Sequence, residues 1–296
     1  MSNEGFSTAA TPDIAQAASL ADQALFERGL VRSRTQAQQL IRAGQVLLNN
    51  EKLVKVSAPV FAEDELSIHG SDSYVSRAAH KLVFALEGFE VEVQGKECLD
   101  LGTSTGGFSQ VLLERGAERV LGIEVGHGQL AAELAKDDRL VLLEGFNARE
   151  LSRDTVLERL GDQLFSFVPS VIVGDLSFIS LRYILPPLVD FVPDAAEFVL
   201  LLKPQFEVGR TRVRGGIVTD PADRLSAIQD IVELAQQLGL SFQGILPSPI
   251  RGMNGNYEYL LHLNRLPANN QAELETEIAQ IIRSESSTDK GGEKRI

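Results

Sequence analysis

The stretch Glu97-Cys-Leu-Asp100-Leu-Gly102-Thr-Ser104-Thr-Gly106-Gly107-Phe108 decides the fold. It opens as a short apolar run, passes through small residues and continues into the apolar residues that follow Phe108. That order predicts a strand over residues 97–101, a Gly/Ser/Thr loop, and a helix over residues 107–114. Gly102, Gly106 and Gly107 let the backbone approach a ligand without a Cβ in the way. The helix start supplies unpaired amides. A tight structural turn would use the same glycines, so the loop by itself leaves the ligand open.

Reading outward narrows the choice. No Gly-Lys-Ser/Thr follows, which excludes a phosphate-cradling P-loop. Asp100 stands inside the turn, where a carboxylate repels a pyrophosphate and suits an ammonium group. The next strand, residues 120–125, carries Glu124, placed to accept hydrogen bonds from two ribose hydroxyls. The third, residues 140–144, runs into Gly145-Phe146-Asn147, where an adenine edge would lie. Acid, acid and polar group at three successive strand ends describe S-adenosylmethionine better than a nicotinamide dinucleotide.

The pattern continues. Strands are expected at residues 171–175 and 198–203, with helices at 129–135, 153–160, 181–188 and 222–238. Strands at 242–246 and 257–263 close the chain. Short Val/Leu/Ile-rich strands alternating with helices imply a doubly wound, mostly parallel sheet. Four charges fall at telling places. Lys81 lies in a helix before the first strand, Asp175 and Lys203 end the fourth and fifth strands, and Glu258 lies in the last. Strand ends on one edge of an open sheet face the ligand crevice. Each charge alone reads as a surface residue; four at those positions read as a site.

The chain has 296 residues, 44% hydrophobic and 23% charged, and a net charge of −13. That length suits two domains. An acidic body excludes nucleic-acid binding through bulk charge. Residues 20–72 differ: between residues 18 and 55, Arg28, Arg32, Arg34, Arg42, Lys52 and Lys55 face only Asp22, Glu27 and Glu51. Arg34, Gln38 and Arg42 share a helical face by i+4 spacing. A solvated helix face accounts for them as well as an RNA surface does; the local reversal of sign favours RNA. One cysteine, Cys98, allows no intramolecular disulfide. His69, His80, His127 and His262 are scattered, so no metal is expected. No secretion signal or 18-residue apolar span is apparent, which predicts a cytoplasmic protein. Residues 1–19 read as a mobile polar segment, 73–266 as the sheet domain and 267–296 as a tail.

The four charges on this fold resemble the FtsJ-type ribose 2′-O-methyltransferases, a Rossmann-like fold with a mostly parallel seven-stranded sheet. The N-terminal unit resembles a small α+β S4 RNA-binding domain, through Gly29-Leu-Val-Arg-Ser-Arg34, Leu40-Ile41 and Gly44-Gln-Val46. Joined with Val75-Ser-Arg-Ala-Ala-His-Lys-Leu82, Asp175-Leu-Ser-Phe-Ile-Ser180 and Lys203-Pro-Gln-Phe-Glu-Val-Gly209, the whole resembles the TlyA family. The likeness covers about residues 20–265. Leu20 stands where an arginine often opens the S4 motif, and Glu124 where aspartate is common. The resemblance implies methyl transfer from S-adenosylmethionine to a cytidine 2′-hydroxyl of 16S and/or 23S ribosomal RNA, with ribosomal RNA or ribosomal subunits as partner. It makes Lys81, Asp175, Lys203 and Glu258 the catalytic set. Cofactor contacts fall to Asp100, Gly102, Ser104, Gly106, Gly107, Phe108, Glu124, Asn147 and Asp175, and RNA contacts to Arg32, Arg34, Arg42 and Lys52. Phe178 or Tyr257 could stack on a splayed base. The alternatives are a non-catalytic ribosome-assembly factor and, from the family's historical label, a membrane-active haemolysin.

Overall fold

A computed structural model describes residues 19–31, 33–49, 51–61, 64–68, 74–161, 166–267 and 276–285. Arg32, residues 1–18, the hinge at residues 70–73 and the end of the tail after residue 285 lie outside the described residues. The chain divides into two compact units, Met1–Ser73 and Tyr74–Ile296.

In the first unit, strand β1 (Ser19–Leu20) leads into helix α1 (Ala21–Glu27) and helix α2 (Arg34–Ala43). Ser33 caps α2 by accepting a hydrogen bond from the Gln36 amide, and Gly44 closes it in the left-handed conformation. Ala37 and Ile41, one turn apart, are fully buried against Leu25 and Val46. Strands β2 (Val46–Leu48), β3 (Glu51–Leu53) and β5 (Leu66–Ile68) form an antiparallel sheet in the order β3-β2-β5; β4 (Pro59–Val60) pairs with β1. Asp22 is buried on α1. Its carboxylate accepts from Arg34 Nε and Nη2, at 3.2 and 3.0 Å, and from Gln38 Nε2 at 2.8 Å. Two of the three residues read as an RNA-facing row are therefore turned onto an internal carboxylate.

The second unit is a seven-stranded sheet in the order β11-β12-β10-β9-β6-β7-β8. Its strands are β6 (Glu97–Leu101), β7 (Arg119–Glu124), β8 (Leu140–Glu144), β9 (Val171–Gly174), β10 (Glu197–Leu202), β11 (Ser241–Pro247) and β12 (Tyr259–Asn264). Five run parallel from β10 to β8, and β12 runs antiparallel to both its neighbours. Alternation along the strands feeds two cores. Leu99, Ile172, Phe198, Leu200 and Leu202 point to one face; Cys98, Val171, Val173, Val199 and Leu201 point to the other. Helices α3 (Ala79–Gly88) and α4 (Gly107–Glu114) cover the second face. Helices α5 (Arg153–Leu160), α6 (Leu185–Phe191) and α8 (Pro221–Gln237) cover the first, with the short α7 (Pro204–Glu207) following β10. Chain order reverses at β6: β7 and β8 lie on one side, β9 and β10 on the other. That switch point fixes where a ligand crevice can open.

Several elements differ from expectation. The helix expected at 129–135 is only a 3₁₀ turn, Leu134–Lys136; Leu130 and Leu134 are drawn onto Gly106 instead of following a regular helical path. The helix expected from residue 181 begins with a 3₁₀ turn, Leu181–Tyr183, and restarts at Leu185, because Pro186 and Pro187 lack amides and fit only a first helical turn. The last strand begins at Tyr259, so Glu258 precedes it. Residues 276–285, read as tail, are helical and bury Ile278 and Ile282 in the core of the second unit.

Asp22 gives a test of the first unit. Burial opposes its ionisation, but hydrogen bonds from Gln38 and Arg34 outweigh that and hold its pKa below the usual range. A lowered folded pKa contributes stability that is complete above the unfolded value, about 3.9, and is lost as pH falls through the folded one. Asp22→Ala should therefore destabilise the unit by about 1–3 kcal/mol at neutral pH. Asp22→Asn should flatten its loss of amide-exchange protection below about pH 4.

Candidate active site

Each candidate residue hangs from a strand end or a helix start. After β6 the loop bonds to its neighbour strand, with the Gly102 and Thr103 amides donating to the Ile123 carbonyl. Glu124, at the end of β7, accepts from the Ser104 amide at 2.8 Å and the Gly126 amide at 2.7 Å. One buried carboxylate thus ties two loops together. Asn147, after β8, accepts from the Arg149 amide. These loops border a cavity of about 1380 Å³, lined by Gly102, Ser104, Gly107, Phe108, Glu124, Asn147 and Asp175 from the expected cofactor set.

Two expected cofactor residues are placed elsewhere. Asp100 is fully buried behind the loop and is absent from the cavity wall. Ser109, on the first turn of α4, donates to its Oδ2 at 2.6 Å, and Oδ1 has no hydrogen-bond partner. A strand-end carboxylate looked like a ligand contact; the side-chain direction turns it inward. Gly106 lies behind the loop as well. It is left-handed, with φ +95°, and a Cβ there would lie 2.4 Å from Leu134 Cδ1. At Gly107 a Cβ would lie 2.9 Å from Ser76 Cβ. Protein packing, more than ligand approach, demands these two glycines.

The four charges converge. Lys81, on the first turn of α3, places Nζ 2.7 Å from Glu258 Oε2 and 3.4 Å from Asp175 Oδ2. Lys203, between β10 and α7, places Nζ 2.6 Å from Asp175 Oδ1 and donates to Ser177 Oγ at 2.8 Å. Glu258, Lys81, Asp175 and Lys203 therefore form an alternating chain, negative to positive twice over. Lys81, Lys203 and Glu258 are 8%, 7% and 4% exposed. Burying such charges costs several kcal/mol per ion unless each is paired; here each is. An ammonium has three donors, and these contacts engage two on each lysine.

A second cavity, about 520 Å³, opens on the other side of Lys203. Lys81, Glu258, Arg77 and Arg251 line it. The two cavities share Ser76, Ala78, Ser177, Phe178, Lys203, Gln205 and Phe206. Phe178 is 84% exposed and sits at φ +64°, a conformation costing a bulky residue about 1–3 kcal/mol. The Tyr257 ring is engaged by Arg224, at 4.5 Å from its centroid, and by Arg251, at 3.2 Å. Of the two aromatics, only Phe178 lines the cavities. Ser177, Gln205 and Phe206 lie beside the charged residues in the sequence, but no charge of their own marks them as wall residues. Among the expected RNA residues, Arg42 and Lys52 are exposed, and the Lys52 side chain runs across Gly44 at the end of α2 that carries Arg42. Arg34 is tied to Asp22.

The model of the FtsJ-like methyltransferase family matches residues 74–265, and that of the S4 domain matches residues 21–66. The chain is 44% identical over 245 residues to the 16S/23S rRNA (cytidine-2′-O)-methyltransferase TlyA of Mycobacterium tuberculosis, covering 82% of this chain and 88% of that one. It is 33% identical to the 23S rRNA (cytidine-2′-O)-methyltransferase TlyA of Campylobacter jejuni, over 78% of this chain and 93% of that one. A solved structure named as a hemolysin from Streptococcus thermophilus superposes with a TM-score of 0.68 at 33% identity, covering 95% of this chain and 100% of that one.

Asp100 supplies a pH test of this region. Burial pushes its carboxyl up to about 7, hydrogen bonds from Ser109 oppose the rise, and the nearby Asp175 and Glu124 carboxylates add to it. A raised folded pKa means the folded state binds the proton more tightly than the unfolded one. Stability from this group is complete below the unfolded value near 3.9 and is lost as pH rises toward 7. The stability of the native protein minus that of Asp100→Asn should therefore decline across that window, by up to about 1.4 kcal/mol per pH unit. Chemical denaturation at a series of pH values measures it; a difference independent of pH would refute the assignment.

Proposed function

The chain belongs to the TlyA family of FtsJ-like ribosomal RNA (cytidine-2′-O)-methyltransferases, and we propose that Lys203 directs the methyl transfer from the wall between its two cavities. It is an S-adenosylmethionine-dependent enzyme acting on a ribose 2′-hydroxyl of ribosomal RNA. One observation carries the assignment of roles: Lys203, paired with Asp175, faces both cavities at once.

The first cavity fits the cofactor. Glu124 holds one amide on each carboxylate oxygen and keeps acceptor capacity for a ribose diol. Asn147, Ser104 and Phe108 line the same space. When bound, S-adenosylmethionine supplies an electrophilic sulfonium methyl group. The second cavity receives the target nucleotide. Asp175 and Ser177 engage two donors of the Lys203 ammonium, which leaves the third for the attacking 2′-oxygen. Negative charge growing on that oxygen is stabilised by a preorganised cation in a partly desolvated site. Lys81, fixed by Glu258 and Asp175, sets the orientation of Asp175 and lines the nucleotide cavity. The new ether bond replaces the sulfonium–methyl bond, which leaves a neutral thioether, and the 2′-hydroxyl proton passes to water. Phe178 offers its exposed ring to the target base. An intact, fully paired charge chain favours catalysis over a purely scaffolding role in ribosome assembly.

The S4-like unit supplies phosphate contacts through Arg42 and Lys52, with Arg34 acting mainly through Asp22. Cytoplasmic action on ribosomal RNA or ribosomal subunits follows from this reading. Among the described residues no helix is long and apolar enough to cross a membrane.

Lys203→Ala should lower kcat for 2′-O-methylation of ribosomal RNA by on the order of 10²- to 10³-fold or more, with RNA affinity nearly intact. Near-native turnover would overturn the assignment. Arg42→Glu combined with Lys52→Glu should weaken RNA binding and reduce the slope of log K against log salt by roughly 0.7–0.9 for each phosphate no longer neutralised. A salt titration of native and variant protein on a ribosomal RNA fragment measures this, and an unchanged slope would mean these residues only solvate the surface.

A further inference from the structure

The motif Lys203-Pro-Gln-Phe-Glu207 contains a second charge that the mechanism leaves unused. Glu207 ends α7 and is only 9% exposed. It lines neither cavity. Ser180 donates its hydroxyl to Glu207 Oε2, and the Leu181 amide donates to Oε1 at 3.0 Å. At the opposite end of the same motif, Lys203 pairs with Asp175 and donates to Ser177. Two segments, residues 175–181 and 203–207, are thus cross-linked at both ends. Midway between the links Phe178 and Phe206 meet, with ring centroids 5.4 Å apart.

Residues 175–180 form neither helix nor strand, so no regular ladder of backbone hydrogen bonds defines their path. Yet Phe178 is held there at φ +64°. Such a residue persists only where its surroundings over-determine it. The Lys203 links secure the segment upstream of Phe178, and the Glu207 links secure it downstream. Releasing the downstream end lets the segment relax toward an ordinary backbone and moves Ser177 and Phe178 with it.

We propose that Glu207 is a positioning residue for methyl transfer, clamping residues 175–181 against residues 203–207 so that the wall shared by the two cavities keeps its shape. The proposal rests on the assignment of those cavities to cofactor and nucleotide. Removing the clamp should impair the reaction without removing any group that touches substrate. The substitution Glu207→Gln would preserve it, since an amide oxygen accepts from Leu181 and an amide nitrogen donates to Ser180 Oγ.

The test uses the full chain and ribosomal RNA. Glu207→Ala should lower kcat by roughly 10- to 100-fold, the usual effect of a misplacement of about 1 Å, with S-adenosylmethionine affinity changed far less. Glu207→Gln should restore most of kcat. Ser180→Ala removes one of the two links and should give an intermediate loss of kcat; because Ser180 also lines the first cavity, its S-adenosylmethionine affinity is measured alongside and should stay near native, and this variant covers the case in which Glu207→Ala fails to fold. The chain contains no tryptophan, so Phe178→Trp places a single reporter on the wall. Its fluorescence anisotropy should fall when Glu207→Ala is added. A lower melting temperature with unchanged kcat per folded molecule would overturn the proposal, as would unchanged anisotropy or failure of glutamine to rescue. If the native protein methylated no ribosomal RNA, the functional reading would fall, while the anisotropy would still decide whether Glu207 clamps the wall.

Discussion

The site depends on a buried row of alternating charge, Glu258 to Lys81 to Asp175 to Lys203. Four groups that each carry a penalty for leaving water are tolerable only together, because each is the solvation of the next. Asp175 is the hinge of the row, since its two oxygens address different lysines. Loss of any inner member would strand a buried charge, which costs far more than the pair contributes. The arrangement also explains how an acidic chain presents cations to an anionic substrate. The lysines are not surplus positive charge spread over a surface; they are held at fixed points inside a neutral cluster.

The sheet provides the registration that this row requires. Parallel strands end on one edge, and Asp175 and Lys203 follow neighbouring strands β9 and β10 there. Alternation then sorts the strand residues between two cores, so the residues just past the strands are left for chemistry. Glu124 does similar work beside the larger cavity, where one carboxylate fixes the loops after β6 and β7 relative to each other. Behind it Ser109 and Asp100 form a second, drier contact that supports the same loop from beneath.

Much of this was legible in the sequence. Apolar runs punctuated by glycine marked the strands of the sheet, and charges at strand ends marked the residues that converge in the row of alternating charge. The misreadings share a cause, which is that linear spacing says where a backbone goes and not where a side chain turns. Asp100 sits at a strand end like Asp175, yet one points into the core and the other into the larger cavity. Arg34 and Arg42 share a helical face by spacing, yet Asp22 arrives from another helix and captures the first. Gly106 suggested a ligand because glycine does so in many loops; the neighbour that forbids a side chain is Leu134, from a segment 28 residues downstream. Pro186 and Pro187 were visible, but only the packing of α6 shows that they reset a helix start.

The antiparallel strand β12 has a consequence of a different kind. A reversed strand begins where its parallel neighbours finish, so Glu258, just ahead of β12, arrives at the same edge as Asp175 and Lys203. The Lys81–Glu258 contact joins residues 177 positions apart. During synthesis, the loop after β6, Asp175 and Lys203 all emerge before the strand that brings in Glu258. A growing chain therefore holds an unfinished charge row, with Lys81 lacking its nearer carboxylate until residue 258 has been made. For an enzyme that acts on ribosomal RNA, the order of synthesis leaves the row without its outer carboxylate in every copy that has not passed residue 258.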